Sequence, residues 1–116
     1  MTSSESTFGQ LRRRERERRI EGLRERLSHT LGSTDCSVWL FGSLARGDWD
    51  GFSDVDLLVV ALSKEKAERA AERLDEALVG DDVLAIDHHR WQTMAHSPSP
   101  HWRAIRAQAI CLHPEP

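Results

Sequence analysis

Apolar residues occur along the chain in two patterns, one typical of helices and one typical of strands. Spacings of three and four residues, as in Ile20, Leu23 and Leu27, place apolar side chains on one face of a helix. Short and nearly unbroken apolar runs are typical of buried strands. The succession of these segments predicts an α/β domain. The predicted helices span residues 8–31, 64–79 and 101–112, with short helical turns at 43–46 and 91–94, and the predicted strands span 38–41, 53–61 and 83–87.

Length and composition limit the class of protein. The 116 residues, of which 39% are hydrophobic and 30% charged, are typical of one small globular domain. No apolar run approaches the roughly 20 residues that cross a bilayer, and residues 1–10 lack the apolar centre of a signal peptide. We therefore expect a cytoplasmic protein without membrane contact. Cys36 and Cys111 have no CxxC partner, so we expect buried or half-buried thiols rather than zinc ligands or a disulfide.

Charge is distributed unevenly along the chain. Residues 10–29 contain eight arginines and four glutamates, a net charge of +4, which leaves −7 for the other residues of a chain whose total is −3. A basic arm on an acidic body indicates an interaction with an anion or with an acidic partner surface. Arginine runs on helices are more often solvated faces than binding patches, so direct binding of nucleic acid is not expected.

Two aspartates one residue apart stand at the start of the most apolar predicted strand. Alternate side chains of a strand point to the same face, so Asp54 and Asp56 face the same way with Cα atoms about 6.5–7 Å apart. Both carboxylates can then bind one or two divalent cations. Gly42 and Ser43, which follow the preceding strand, leave backbone N–H groups free for a phosphate. These parts together are suited to a metal–nucleotide complex, and the apolar run after Asp56 predicts a central strand.

A third aspartate, Asp87, ends the next predicted strand. If the two strands are neighbours about 4.8 Å apart, we expect Asp87 to join Asp54 and Asp56 in one cluster. Three unpaired carboxylates raise one another's pKa values unless a cation offsets their charge, and Mg²⁺ is the expected ion because it prefers oxygen ligands and shared phosphates. Two such ions can activate an attacking hydroxyl and stabilise a leaving pyrophosphate, with Asp87 as a further ligand or the general base.

Other residues near these motifs have less specific signals. His88 and His89 follow Asp87, but adjacent residues of a strand point to opposite faces, so we do not expect them to form a catalytic pair. Trp49 lies on the loop between the two halves of the motif. Three roles remain open for it: stacking on a nucleotide base, contact with a partner, or anchoring of the loop.

Residues 42–60 resemble the signature of the DNA polymerase beta-type nucleotidyltransferase superfamily, in which Gly42-Ser43 is followed after ten residues by Asp54-Val55-Asp56. The fuller pattern, Gly-Ser-Leu-Ala-Arg-Gly-Asp and then Ser-Asp-Val-Asp-Leu-Leu-Val, is similar to the minimal nucleotidyltransferase branch. The resemblance implies a nucleotidyltransferase fold, with a small mixed sheet and flanking helices, over residues 35–113. Residues 1–34 are then an N-terminal tail and Arg-rich helix.

The resemblance also implies an activity, the transfer of a nucleoside monophosphate from a nucleoside triphosphate with Mg²⁺. AMP from ATP is the expected form, and two Mg²⁺ ions are expected. The implied roles are nucleotide binding for Gly42, Ser43 and Arg46, and catalysis and metal binding for Asp54, Asp56 and Asp87.

Many members of that branch are antitoxins paired with a small helical HEPN-type ribonuclease toxin. They resemble adenylyltransferases that attach AMP to a tyrosine of the toxin and so silence it. The size of this chain fits such a pair, because little is left for a separate acceptor-binding domain, and the Arg-rich helix is a candidate docking arm. The chain contains no tyrosine, so a tyrosine-directed reaction has to act in trans. Two alternatives remain open: transfer to a small molecule, as in aminoglycoside-modifying relatives, and a non-catalytic antitoxin that neutralises its partner by binding.

Overall fold

Five α-helices and four strands form the parts of the chain that the structure, a computed structural model, describes, namely residues 7–49 and 54–114. In chain order they are α1 (Thr7–Leu31), β1 (Cys36–Phe41), α2 (Ser43–Arg46), β2 (Asp56–Ala61), α3 (Lys64–Glu76), β3 (Asp82–Asp87), α4 (His88–Thr93), α5 (Pro100–Gln108) and β4 (Ile110–His113), with a 3₁₀ turn at Met94–His96.

A four-stranded mixed sheet in the order β3-β2-β1-β4 forms the centre of the protein. β1 pairs antiparallel with β2 and with β4, whereas β2 and β3 are parallel because α3 connects them as a crossover. The mixed sheet with its flanking helices and long N-terminal helix confirms the predicted fold. β2 is paired on both sides and its residues Leu57–Val60 are buried, as the apolar run predicted for a central strand.

The sheet has two covered faces because strand side chains alternate. Val38, Leu40 and Leu57 point toward α1 and α3, where they join Leu27 in the larger core cluster. The other face carries a smaller cluster around Leu58 and Val60, covered by residues of α4, the 3₁₀ turn and α5. Burying a leucine completely stabilises a fold by about 1.5–3 kcal/mol, so both layers contribute to the stability of the sheet.

Helix α1 is amphipathic only in its second half. Ile20, Leu23, Leu27 and Leu31 are buried against the sheet, as their spacing predicts, whereas Phe8 near the start of the helix is 80% exposed. Among the described helices, none combines the length and the hydropathy that a membrane crossing requires.

Helix α3 begins where its sequence predicts and ends earlier. The Ser63 hydroxyl accepts a hydrogen bond from the Lys66 N–H at 3.2 Å, which is an ordinary N-terminal cap. The helix ends at Glu76 rather than at residue 79, because Leu78 adopts a left-handed conformation with φ of 57° and the Val79 N–H returns to the Leu74 carbonyl. Gly80 therefore lies in the connection to β3 and does not end the helix.

The prediction of one helix over residues 101–112 was wrong in its second half. Ser99 caps α5 and Pro100 occupies its first turn, but the helix ends at Gln108. Residues Ile110–His113 form strand β4 on the free edge of β1. The partner strand lies about seventy positions earlier in the sequence, and this long-range pairing overrides the local helical spacing.

Candidate active site

The antiparallel pairing of β1 and β2 brings the two halves of the motif together. Phe41, the last residue of β1, is paired with Asp56, the first residue of β2. Gly42 and Ser43, which follow Phe41, therefore lie beside Asp54 and Asp56 at one end of the sheet. The structure thus places the Gly42-Ser43 turn and the paired carboxylates next to each other, as the sequence predicts.

A cleft of about 360 Å³ opens at this end of the sheet, between the motif residues and helix α5. Its lining includes five of the six predicted site residues, and α5 contributes the other wall. The predicted residues are Gly42, Ser43, Arg46, Asp54 and Asp56, and those of α5 are His101, Ala104, Ile105 and Gln108.

Gly42 has to be a glycine for two independent reasons. Its φ of 81° and ψ of −160° lie in a region that is essentially restricted to glycine. A Cβ atom at this position would lie 2.3 Å from the Oδ2 atom of Asp56. The carboxylate of Asp56 is therefore held directly against the bare backbone of Gly42, and any side chain here displaces it.

The turn after Gly42 is the one-turn helix α2. Leu44 and Ala45 are buried in the larger core cluster, which fixes the turn to the body of the protein. The Arg46 side chain extends to the surface, where its Nε lies 3.3 Å from a carboxylate oxygen of Asp48. Arg46 is thus at the mouth of the cleft, in a position to approach a bound anion.

Several acids lie together at this end of the sheet. Burial raises the pKa of Asp56, and the negative charges of Asp82, Asp54 and Asp81 raise it further, whereas Arg46 lowers it. A carboxyl group surrounded by other carboxylates is harder to ionise, so its pKa is raised. Such a cluster favours a cation.

Asp82 is a further acid at this end of the sheet, and the sequence analysis did not single it out. Asp82 is the first residue of β3 and is paired directly with Asp56 across the parallel strands. Paired residues of neighbouring strands are about 4.8 Å apart and share a face of the sheet. Asp82 therefore occupies the position next to Asp56 that was expected for Asp87.

Asp87 does not join the cluster, and this prediction was wrong. Asp87 is paired with Ala61 at the other end of the β2–β3 pair, five positions and roughly 16 Å from the level of Asp56. Its carboxylate accepts a hydrogen bond from the Arg90 N–H at 2.8 Å and caps α4. The two strands are neighbours as predicted, but their parallel direction places the acid that ends β3 far from the acids that begin β2.

Asp81 has a different role from Asp82, because it holds the backbone between the paired acids. Its Oδ2 accepts a hydrogen bond from the Val55 N–H at 2.7 Å. The N–H groups of Asp81 and Asp82 donate to the Val55 carbonyl at 2.8 and 3.2 Å. Val55 is thus bonded on both sides, and the orientation of Asp54 and Asp56 depends on the turn before β3.

Trp49 and the paired histidines lie away from the cleft. The Trp49 ring is only 7% exposed and is packed beneath the guanidinium groups of Arg12 and Arg19. Of the three roles considered for it, this environment supports anchoring of the loop. His88 and His89 are exposed on α4 beside Asp87.

Cys36 and Cys111 are free, half-buried thiols whose pKa values are raised by burial.

A family model described as a nucleotidyltransferase domain matches residues 20–99, which is more than half of the chain. The chain belongs to this family. The match begins inside α1, so the buried half of that helix is included in it. No curated protein sequence matches the chain.

A nucleotidyltransferase domain acts on a nucleoside triphosphate, generally with a divalent metal ion, and the donor set of the cleft fits such an ion. Mg²⁺ commonly uses one or two carboxylates and completes its shell with water and substrate phosphates. Asp54 and Asp56, which line the cleft, would provide those carboxylates. Within residues 7–49 and 54–114, no three His, Cys, Asp or Glu side chains form a metal-binding cluster by themselves.

Proposed function

We propose that this nucleotidyltransferase transfers AMP from ATP, with Mg²⁺, to a protein partner, a HEPN-type ribonuclease toxin, and so acts as its antitoxin. The observation that carries the enzymatic part is the convergence of Gly42-Ser43 with Asp54 and Asp56 in one cleft. The choice of AMP as the transferred group, the antitoxin role and the identity of the partner rest on a resemblance. Residues 42–60 resemble the minimal nucleotidyltransferase branch.

We assign each group of residues a separate role in the proposed reaction. The backbone N–H groups of Gly42 and Ser43 bind the triphosphate tail, and Arg46 neutralises part of its charge. Asp54 and Asp56 would hold Mg²⁺, which would supply stabilisation of the negative charge that develops on the phosphates. Asp82 is the candidate for the further carboxylate, as a ligand or as the base that accepts the hydroxyl proton of the acceptor.

The chemical change is a substitution at the α-phosphorus of ATP. The acceptor oxygen forms a bond to that phosphorus, and the bond from the phosphorus to the oxygen that bridges to the β-phosphate breaks. Pyrophosphate leaves with the electron pair, and the hydroxyl proton passes to the base. Positioning and charge stabilisation supply most of the catalysis in phosphoryl transfer.

The protein acceptor rests on the resemblance of residues 42–60 to the minimal nucleotidyltransferase branch. In the structure, the α5 wall of the cleft presents the exposed residues His101 and Gln108 to solvent. Since the chain contains no tyrosine, a tyrosine acceptor has to come from another molecule.

The proposal is tested by incubating the protein with ATP labelled at the α-phosphate and the protein that the neighbouring reading frame encodes, which the proposal requires to be a HEPN-type ribonuclease. We expect Mg²⁺-dependent label on the partner, and none with the double variant Asp54→Asn, Asp56→Asn. Asp87→Asn, which changes an aspartate outside the cleft, is the matched control and should keep the activity. Labelling by GTP, CTP or UTP in place of ATP would contradict the choice of nucleotide.

The two alternatives predict different outcomes of the same experiment. A small-molecule transferase would label an added aminoglycoside or other alcohol without the partner. A binding antitoxin would still neutralise the toxin in cells when Asp54 and Asp56 are both replaced by asparagine. Either outcome would contradict the proposed protein modification.

A further inference from the structure

Helix α2 carries Ser43 and Arg46 to the cleft, yet a single helical turn is not stable by itself. Its backbone hydrogen bonds are few. The Arg46 N–H donates to the Gly42 carbonyl and the Gly47 N–H to the Ser43 carbonyl, both at 3.0 Å. The next two carbonyl groups of the turn receive no hydrogen bond from the described residues 42–49. The last carbonyl groups of any helix lack a hydrogen-bond donor within the helix. In α2, two of the four residues, Leu44 and Ala45, have such carbonyl groups.

Arg16 of helix α1 supplies the missing hydrogen bonds. Its Nε donates to the Leu44 carbonyl at 2.8 Å, and its Nη2 donates to the Ala45 carbonyl at 2.9 Å. The planar guanidinium is suited to two adjacent acceptors, and a positive charge at the C-terminal end of a helix is favourable for the helix dipole. Arg16 therefore caps α2 from a distant part of the sequence.

The loop after α2 is attached to the same helix. The guanidinium of Arg12 donates to the Trp49 carbonyl. The guanidinium carbons of Arg12 and Arg19 lie 5.8 and 5.2 Å from the centre of the Trp49 ring. Cation–π contacts of this kind stabilise a buried ring. The N-terminal half of α1 thus holds both α2 and Trp49, three residues after the end of α2.

The arginines of α1 therefore fall into two classes, although the sequence alone does not separate them. Arg16 is half-buried and bonded to backbone carbonyls of another element. Arg18, two positions later, has a side chain that is 75% exposed and pairs with Glu15 on its own helix at 2.8 Å. Two residues of equal charge on one helix thus provide a test residue and its control.

We propose that Arg16 is a positioning residue of the nucleotidyltransferase, which holds α2 in the orientation that presents Ser43 and Arg46 to the nucleotide. Arg16 does not line the cleft with the acids and does not contact the reacting atoms. The expected effect on nucleotide affinity rests on the proposed function. The capping of α2 is a property of the free protein and does not rest on the proposed function.

The first test is amide hydrogen exchange in the free protein, with the variants Arg16→Ala and Arg18→Ala. Losing a hydrogen bond to a charged group changes an equilibrium about tenfold or more, so the Arg46 and Gly47 amides should exchange about tenfold faster in Arg16→Ala. The amides of β1 and β2 should exchange as in the unchanged protein. Arg18→Ala should leave all of these rates unchanged.

The second test is the affinity for a non-hydrolysable ATP analogue in the presence of Mg²⁺. Arg16→Ala should weaken binding about tenfold while changing the rate at saturating nucleotide by no more than about twofold, because the reacting groups are intact. Arg16→Lys should give an intermediate affinity, since an ammonium group keeps the charge but cannot bind both carbonyls in one plane. Arg18→Ala should bind like the unchanged protein.

The results separate the possible explanations. If Arg16→Ala and Arg18→Ala show the same exchange at Arg46 and Gly47, the capping role is wrong. If exchange in Arg16→Ala rises equally throughout β1 and β2, Arg16 only stabilises the fold, and the positioning role is also overturned. Faster exchange at α2 in a protein that binds no nucleotide would support the capping and contradict the proposed function.

Discussion

The two ends of strand β3 carry aspartates in opposite surroundings. Asp82, its first residue, lies across from Asp56 in a group of carboxylates that raise the pKa of Asp56. Asp87, its last residue, accepts a backbone hydrogen bond and caps the helix that follows. A carboxylate at a helix N-terminus is stabilised by the helix itself. The comparison teaches that an acid at a strand end indicates metal chemistry only where no local structure already balances its charge.

The largest expected difference between the two ends is in catalysis. Asp82→Asn removes a carboxylate from the group around Asp56, and metal-site electrostatics contribute several kcal/mol to catalysis, so we expect transfer to fall about a hundredfold or more. Asp87→Asn should leave the rate within about twofold, since asparagine also caps helices. Rates of transfer from labelled nucleotide measure both. Equal losses in the two variants would remove the distinction between the ends.

The variant Gly42→Ala tests how closely the Asp56 carboxylate is packed against the backbone of Gly42. The new methyl group would overlap the Asp56 carboxylate, and alanine is strained at this φ, so we expect a stability loss of about 1–3 kcal/mol together with nearly complete loss of transfer. Gly32→Ala is the control. Gly32 has a φ of 57°, and a Cβ there would meet nothing within 4 Å. Gly32→Ala should lower the free energy of unfolding by about 1–2 kcal/mol, and the folded variant should keep its transfer activity. Denaturant unfolding and transfer rates together distinguish the two effects.

Asp87→Ala tests the capping end. Removing a helix-capping carboxylate costs about 0.5–2 kcal/mol, so the free energy of unfolding should fall by that amount while transfer is maintained. Urea unfolding measures the change. A loss of activity larger than the loss of folded protein would show that Asp87 takes part in the reaction after all.

The smallest expected effect is on the stability of the metal-free protein. Because the pKa of Asp56 is raised in the fold, the native state holds this proton more tightly than the unfolded chain. Stability contributed by this group is therefore lost as the pH rises from the unfolded pKa through the raised folded one. Asp56→Asn should raise the melting temperature of the metal-free protein at pH 7 and reduce the stabilisation by Mg²⁺. A lower melting temperature would contradict this balance of charges.

Most of the fold and half of the site follow from local sequence patterns. The amphipathic stripe of α1, the cap at Ser63 and the apolar run of β2 are visible within short windows, and so is the Gly42-Ser43 and Asp54-Asp56 motif. These features depend on neighbouring residues, so sequence reasoning predicts them well.

The missed features depend on how distant segments pair. Asp82 and Asp87 are the first and the last residue of β3, and only the direction of the strand decides which of them meets Asp56. One signal was present: a helix between two neighbouring strands predicts a parallel crossover, and parallel strands align their first residues. Strand β4 and the inward bonds of Arg16 had no comparable local signal, because each is set by a partner far along the chain.

The central claim, that the metal–nucleotide site lies at the Asp56 end of the sheet, is tested most directly with Mn²⁺ as a paramagnetic substitute for Mg²⁺. In amide NMR spectra with a non-hydrolysable ATP analogue, broadening should begin at Ser43, Val55 and Asp82. The amides of His88 and His89, at the other end of β3, should remain sharp. Broadening centred on His88 and His89, or no broadening at the Asp56 end, would contradict the claim.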